Sequence, residues 1–446
     1  MTMAIQSEAD RHSQPATLPN VELHDTGPAA FFRKLGPGLI TGAADDDPSG
    51  IATYSQAGAA FGYGLLWTAL ISLPMMIAVQ FMCARVGIVA KTGLATALRE
   101  HYSRKLLWFA CTLLIIANTL NIAADLGGMA AAAELLTGIP RVILVPMFAA
   151  LILGLLVFSS YESMARVLKW FALALFAYII AGFLAHPSVP GVLKGMFLPD
   201  IQWNRDYLLT FVAILGTTIS PYLFFWQASQ VAEQEEHIRA RFPTRRRNGQ
   251  MRRTGRELKD AAVDTESGML VSQTIMFFIV LTAGATLNKA GITDVQSADQ
   301  AAAALRPLAG PLAYWLFALG IIGTGMLGVP VLAGSAAYAI AEAGAFKGGM
   351  DEKPDTARVF YSVMAIAMVM GTILALTKIN AMKMLVWSAV MNGVLAPPLI
   401  VIILLVCNNE KIMGKYRNGL LLNVLGWSAA ALMGLAAIAM IASFFM

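Results

Sequence analysis

From residue 37 onward the chain alternates long apolar stretches with short polar ones. The apolar stretches cover 37–62, 65–86, 106–136, 140–160, 164–185, 207–228, 263–287, 311–343, 357–377, 382–407 and 419–445. Each reaches the roughly 20 residues that an α-helix needs to cross the hydrocarbon core of a bilayer. The pattern predicts an all-α integral membrane protein with about eleven transmembrane helices. Residues 1–34 are polar, contain Pro15 and Pro19, and lack the basic start and apolar stretch of a signal peptide. They are expected to form a flexible cytoplasmic tail, with residues 35–446 a single transmembrane domain.

Two of the stretches are interrupted. In ITGAADDDPSGIATYSQAGAAFGYG, residues 40–64, Asp45, Asp46 and Asp47 precede Pro48, Ser49 and Gly50 inside the first span. A charged side chain at a helix centre costs at least about 2.5 to 3.5 kcal/mol, so three carboxylates there mark a site or a pathway. Pro48 lacks an N–H and opposes continuation of the preceding helix, so the span should break near its midpoint. Unwound backbone at membrane depth survives only where protein buries it or water reaches it. Carboxylates beside freed carbonyls suit a cation. The nearest basic residues, Arg33 and Lys34, lie more than ten positions upstream, behind the apolar LGPGLITGAA.

The sixth span is interrupted in the same way, by Gly216, Thr217, Thr218, Ser220 and Pro221 in LLTFVAILGTTISPYLFFWQASQ, 208–230. Paired broken helices at matching positions of two halves are the mark of a carrier built from inverted repeats. The halves are spans one to five (about 35–187) and six to ten (about 205–408), with an extra span at about 418–446. Asp47 and Ser220 are then expected to face each other.

Composition agrees with a membrane chain: 57% hydrophobic, 13% charged and mean hydropathy +0.65, against about 25% charged in soluble domains. The net charge of +5 therefore needs no nucleic acid to explain it. With the N-terminus inside, 25 of the 32 Lys and Arg residues fall on the cytoplasmic side and 7 outside, which orients the chain N-terminus in and C-terminus out. The basic block 236–260 is read as a topology determinant with some anionic-lipid contact. Cys83, Cys111 and Cys407 lie in or beside spans without metal-binding or disulfide spacing.

The stretch GPGLITGAADDDPSGIATYSQAGAAFGYGLLW resembles the first span of the NRAMP divalent-metal transporters. Their GPG opening falls on Gly36, Pro37 and Gly38. Their Asp-Pro-Gly-Asn motif falls on Asp47, Pro48, Ser49 and Gly50, and the following QAGAxFGY run on Gln56 to Tyr63. The sixth-span Met-Pro-His motif falls on Ser220, Pro221 and Tyr222, after a Gly-x-Thr lead at Gly216 to Thr218. The resemblance implies a leucine-transporter-type inverted-repeat fold and alternating access.

Of the three side chains that the family places on the metal, it leaves only Asp47, since Gly50 stands for the asparagine and Ser220 for the methionine. Losing the thioether turns the site toward hard, oxygen-liganded ions such as Mg²⁺ or Mn²⁺, as in the NRAMP-related magnesium transporters, the branch without the methionine. The expected ligands are Asp47, Asp46, Ser220 and the carbonyls near Ala44 and Thr217, around a partly hydrated ion. The family's proton-linked histidines fall on Tyr222 and Gln227 and its third-span glutamate on Asp125, which either carries a proton or makes a paired polar contact. Weak or absent proton coupling is expected.

In the tenth span Asn392 either holds a metal-bound water or makes an interhelical hydrogen bond. No resident cofactor is expected, only a transported divalent cation, in a membrane of the bacterial inner type. The rival reading is a sodium-coupled organic-solute carrier of the same fold. An intramembrane enzyme is disfavoured because no histidine lies in any span.

Overall fold

The computed structural model describes residues 41–42, 44–158, 173–241 and 250–445, with backbone only at 237–241 and 250–253. Residues 36–446 form one compact unit. The expected tail, 1–34, lies outside the described residues.

Every regular element among the described residues is a helix. The long ones are α1 (Pro48–Phe61), α2 (Trp67–Ala90), α3 (Leu94–His101), α4 (Arg104–Thr137), α5 (Arg141–Phe158), α6 (Phe176–Leu184), α7 (Val189–Phe197), α8 (Arg205–Thr218), α9 (Pro221–Arg241), α10 (Gln250–Ala283), α11 (Ala313–Ala343), α12 (Arg358–Ala375), α13 (Ala381–Asn408) and α14 (Leu420–Ala442). Among the described residues, nine helical segments are long and apolar enough to cross a membrane. They match nine of the eleven expected spans. The first and fifth spans run partly through residues outside those described.

Two departures from the expected elements stand out. α9 continues to Arg241 and α10 begins at Gln250, so helix invades both ends of the basic block expected to be a loop. Glu, Gln, Arg and Lys are good helix formers, and hydropathy marks the bilayer rather than the helix end. The last turn before Asn288 widens into a π-helix over Gly284–Asn288, which no periodicity announces.

Packing follows the exchange expected of an inverted repeat. α1, from the first span, lies on α10, from the seventh; α9, from the sixth, lies on α2, from the second; and α4 and α11, the third and eighth, pack together. Glycines make these seams very close. A side-chain carbon at Gly42 would fall 2.4 Å from the carbonyl oxygen of Gly268, and one at Gly58 2.3 Å from that of Val280, both on α10. One at Gly87 of α2 would meet Ala228 O of α9 at 2.5 Å. α8 and α13 are locked reciprocally, Gly216 against Ala389 O at 2.1 Å and Gly393 against Val212 O at 2.3 Å. Such backbone-to-backbone approach is how membrane helices gain packing where lipid removes the hydrophobic drive between them.

Candidate metal site

The two breaks share one local form. Thr41, Gly42, Ala44 and Asp45 are helical, Asp46 bends, Asp47 is extended and Pro48 restarts the helix. In the sixth span Ile219 bends, Ser220 is non-helical and Pro221 restarts it. Each proline sits where a helix lacks an N–H partner anyway.

The capping chemistry of the two breaks is opposite. Asp47 (φ −70°, ψ 172°) caps α1: its Oδ1 accepts from Gly50 N at 2.8 Å and from Ser49 Oγ at 2.6 Å. A cap of this kind contributes about 1 kcal/mol. Ser220 turns backward instead. Its Oγ donates toward Thr217 O at 2.7 Å and lies 3.1 Å from Gly216 O, so it serves carbonyls left over at the end of α8.

Four carboxylates are buried here, Asp45, Asp46, Asp47 and Asp125, none more than 2% exposed. They do not form one cluster. The hydroxyl of Ser272 on α10 lies 2.8 Å from Asp45 Oδ2 and 3.2 Å from Asp46 Oδ1. The expected second carboxylate, Asp46, is thus turned to α10 while Asp47 caps α1. Consecutive residues at a helix break project to different neighbours. Among the described residues no three His, Cys, Asp or Glu side chains are placed to hold an ion by themselves.

What does converge on Asp47 is a different set. Tyr222, in the first turn of α9, donates to Ala44 O at 2.9 Å and lies 3.4 Å from Asp47 Oδ2. A side-chain carbon at Gly328 of α11 would lie 3.3 Å from Asp47 Cβ, 3.8 Å from Ala44 O and 3.8 Å from Asp125 Oδ2. Thus Ala44, Asp47 and Asp125 all border one point on α11, and Tyr222 joins the first two.

The remaining expected residues are engaged elsewhere. Gly50 spends its N–H on Asp47. Thr217 accepts from Ser220 through its carbonyl, and its hydroxyl lies 3.0 Å from that of Tyr54. Gln227 accepts from Thr41 across the two spans. Asn392 pairs reciprocally with Asn121 of α4, at 2.7 and 3.2 Å. The interhelical bond, one of the two readings of Asn392, is present.

Sequence reasoning singled out neither Ser272, Tyr54, Asn121 nor Gly328. Gly328 lies in GTGMLGVPVLAGSAA, which reads as ordinary small-residue packing. Asp45 was visible as the first of three aspartates, but nothing signalled its partner on α10.

A cavity of about 560 Å³ opens on the side where α1 ends. It is lined by Gln56, Phe61, Asp206, Thr210, Asp294 and Lys383 among others. Gln56 closes part of its wall by bonding Thr293 O at 3.1 Å and Val295 N at 2.8 Å. It stops short of Asp47: nine residues of helix, at about 1.5 Å each, separate Gln56 from the break.

Buried carboxylates and freed carbonyls at paired helix breaks, in a bundle of membrane-length helices, define a membrane carrier of the discontinuous-helix class. Residues 38–443 match the family described as natural resistance-associated macrophage protein-like, Nramp, and the chain belongs to that family. It is 34% identical over 305 residues to the divalent metal cation transporter MntH of Bradyrhizobium diazoefficiens, a match covering 66% of this chain and 64% of that protein. It is 26% identical over 430 residues to MntH of Yersinia enterocolitica, covering 91% and 95%. In fold it is similar to the Eremococcus coleocola manganese transporter solved with an aromatic bis-isothiourea substituted compound. That likeness has a TM-score of 0.73 at 20% identity and covers 94% of this chain and 89% of the other. A more distant likeness, with a TM-score of 0.55 at 13% identity over 92% of both chains, is to the nucleobase-cation-symport-1 family transporter Mhp1.

Proposed function

We propose that this protein carries a divalent metal cation across the membrane by alternating access, with Mg²⁺ and Mn²⁺ as the ions it takes. The observation that carries the reading is the donor set around Asp47. Ala44 O and the Asp47 carboxylate are oxygen, the group set against them from the sixth span is the Tyr222 hydroxyl, and among the described residues no sulfur or imidazole is hydrogen-bonded to them. Oxygen donors suit hard ions, and Mg²⁺ in particular keeps several waters and one or two carboxylates. The names of the MntH relatives support the coarser reading of divalent-cation transport.

Weak or absent proton coupling is part of the proposal. Tyr222 and Gln227 occupy the positions that the family resemblance gives to histidines, and both are committed to hydrogen bonds with the first span. Import, the N-terminus-in orientation, a bacterial inner membrane and lipid contact by the basic block complete the reading. The organic-solute alternative is less well supported. It needs the start of α1 free to receive a substrate carboxylate, and Asp47 already occupies that end.

The test is uptake of Mg²⁺ and Mn²⁺ into proteoliposomes with internal pH recorded together, for the native chain and Asp47→Ala. Uptake of both ions without acidification, lost in the variant, is expected. Transport of neither ion by the native chain, or normal transport by Asp47→Ala, would defeat the proposal.

A further inference from the structure

We propose that Asp125, not Asp46, is the second carboxylate of the ion site, reaching the cation through its water shell across the bare backbone of Gly328. The inference rests on the divalent-cation reading above. Asp125 lies in the middle of α4 with 0% of its surface exposed. Neither of its carboxylate oxygens makes a hydrogen bond of ordinary geometry among the described residues, and only the Ser49 N–H approaches the carboxylate. Asp47 accepts from Ser49 and Gly50, and Asp45 and Asp46 share the hydroxyl of Ser272. A buried carboxylate with so little donor support is costly, and a cation with bound waters supplies the missing donors.

Position brings these groups around one space. A side-chain carbon at Gly328 would lie 3.8 Å from Asp125 Oδ2, 3.8 Å from Ala44 O and 3.3 Å from Asp47 Cβ. The glycine leaves the space beside it free of side chain. Asp125 thus faces the same space as the ligands expected on the first span, but from α4, the third span of the same repeat. At that remove a carboxylate of aspartate length acts on metal-bound water rather than on the metal. Mg²⁺ dehydrates reluctantly, so space for retained water favours it over ions that shed water easily.

Three variants test this by ion binding to purified protein and by uptake into proteoliposomes. Asp125→Asn is isosteric and removes only the charge. It should elute as the native protein does while raising the half-saturating concentration of Mg²⁺ about 10- to 100-fold, the usual effect of losing an outer-sphere partner. Asp125→Glu, one methylene longer, should retain Mn²⁺ binding and lose Mg²⁺ preference. Gly328→Ala puts a methyl group 3.8 Å from Asp125 Oδ2 and Ala44 O, narrows the space left for water, and should shift preference in the same direction. Native half-saturation for both ions in Asp125→Asn overturns the inference. So does unchanged half-saturation with an altered pH dependence, which makes Asp125 a proton carrier. In both cases native uptake that is lost in Asp47→Ala leaves the transport reading standing, whereas a native chain that moves neither ion removes that reading itself.

Discussion

Tyr222 donates its hydroxyl hydrogen to Ala44 O at 2.9 Å and lies 3.4 Å from Asp47 Oδ2. The first turn after one helix break therefore occupies the oxygens exposed by the other. An ion binding between Ala44 and Asp47 must displace that hydroxyl.

Tyr222→Phe should then bind Mn²⁺ more tightly. The native hydrogen bond is worth about 1 kcal/mol net, so freeing Ala44 O should lower the dissociation constant roughly fivefold. The ion-free protein should melt at a lower temperature, with a larger upward shift on adding Mn²⁺. Weaker Mn²⁺ binding would mean that the phenol is itself a ligand.

The Asn121–Asn392 pair makes a separate prediction. Asn392→Ala strands the Asn121 amide between α4 and α13 and should cost about 1 to 2 kcal/mol. Asn121→Ala in the same chain should recover part of that loss in a double-mutant cycle. Half-saturation for uptake should not change. A shift in half-saturation without loss of stability would restore the reading of Asn392 as the holder of a metal-bound water.

Glycine seams can be probed against an internal control. A methyl group at Gly216 would sit 2.1 Å from Ala389 O, against backbone that cannot yield, whereas the nearest neighbour at Gly434 is Pro397 Cβ at 3.8 Å. Gly216→Ala should destabilise by about 1 to 3 kcal/mol or more. Gly434→Ala should be neutral or gain up to about 1 kcal/mol from helix propensity. Thermal unfolding in detergent followed by circular dichroism decides between equal and unequal effects.

Orientation is open to labelling, because Cys83, Cys111 and Cys407 are all buried and give a quiet background. A membrane-impermeant thiol reagent should modify Asp294→Cys in intact cells. It should reach Lys347→Cys only after permeabilisation. The reverse pattern would invert the topology drawn from the distribution of basic residues.

The spans and both breaks could be read from the sequence because their signals are local. A run of apolar residues, or a proline after an aspartate, needs no partner to be recognised. Asp47, Pro48, Ser220 and Pro221 were found this way. What could not be read were facts of direction. Asp46 and Asp47 are adjacent in the chain, yet one faces Ser272 on α10 and the other caps α1. Ser220 was expected to face Asp47 but satisfies Gly216 and Thr217 behind it. Gly328 matters for what it lacks, and only the neighbours that crowd around it reveal that.

The glycine seams also decide which of the two breaks can act as a joint. Gly42 lies before the first break and Gly58 after it, and both are pressed onto α10. Bending there would pull one of two seams apart, so the first break is a window onto oxygen rather than a pivot. Across the second break the attachments differ: α8 is bound to α13 through Gly216, and α9 to α2 through Gly87. Ile219 and Ser220 join two half-helices whose closest glycine contacts are with different neighbours, so a turn about those two residues would strain neither of these two seams directly.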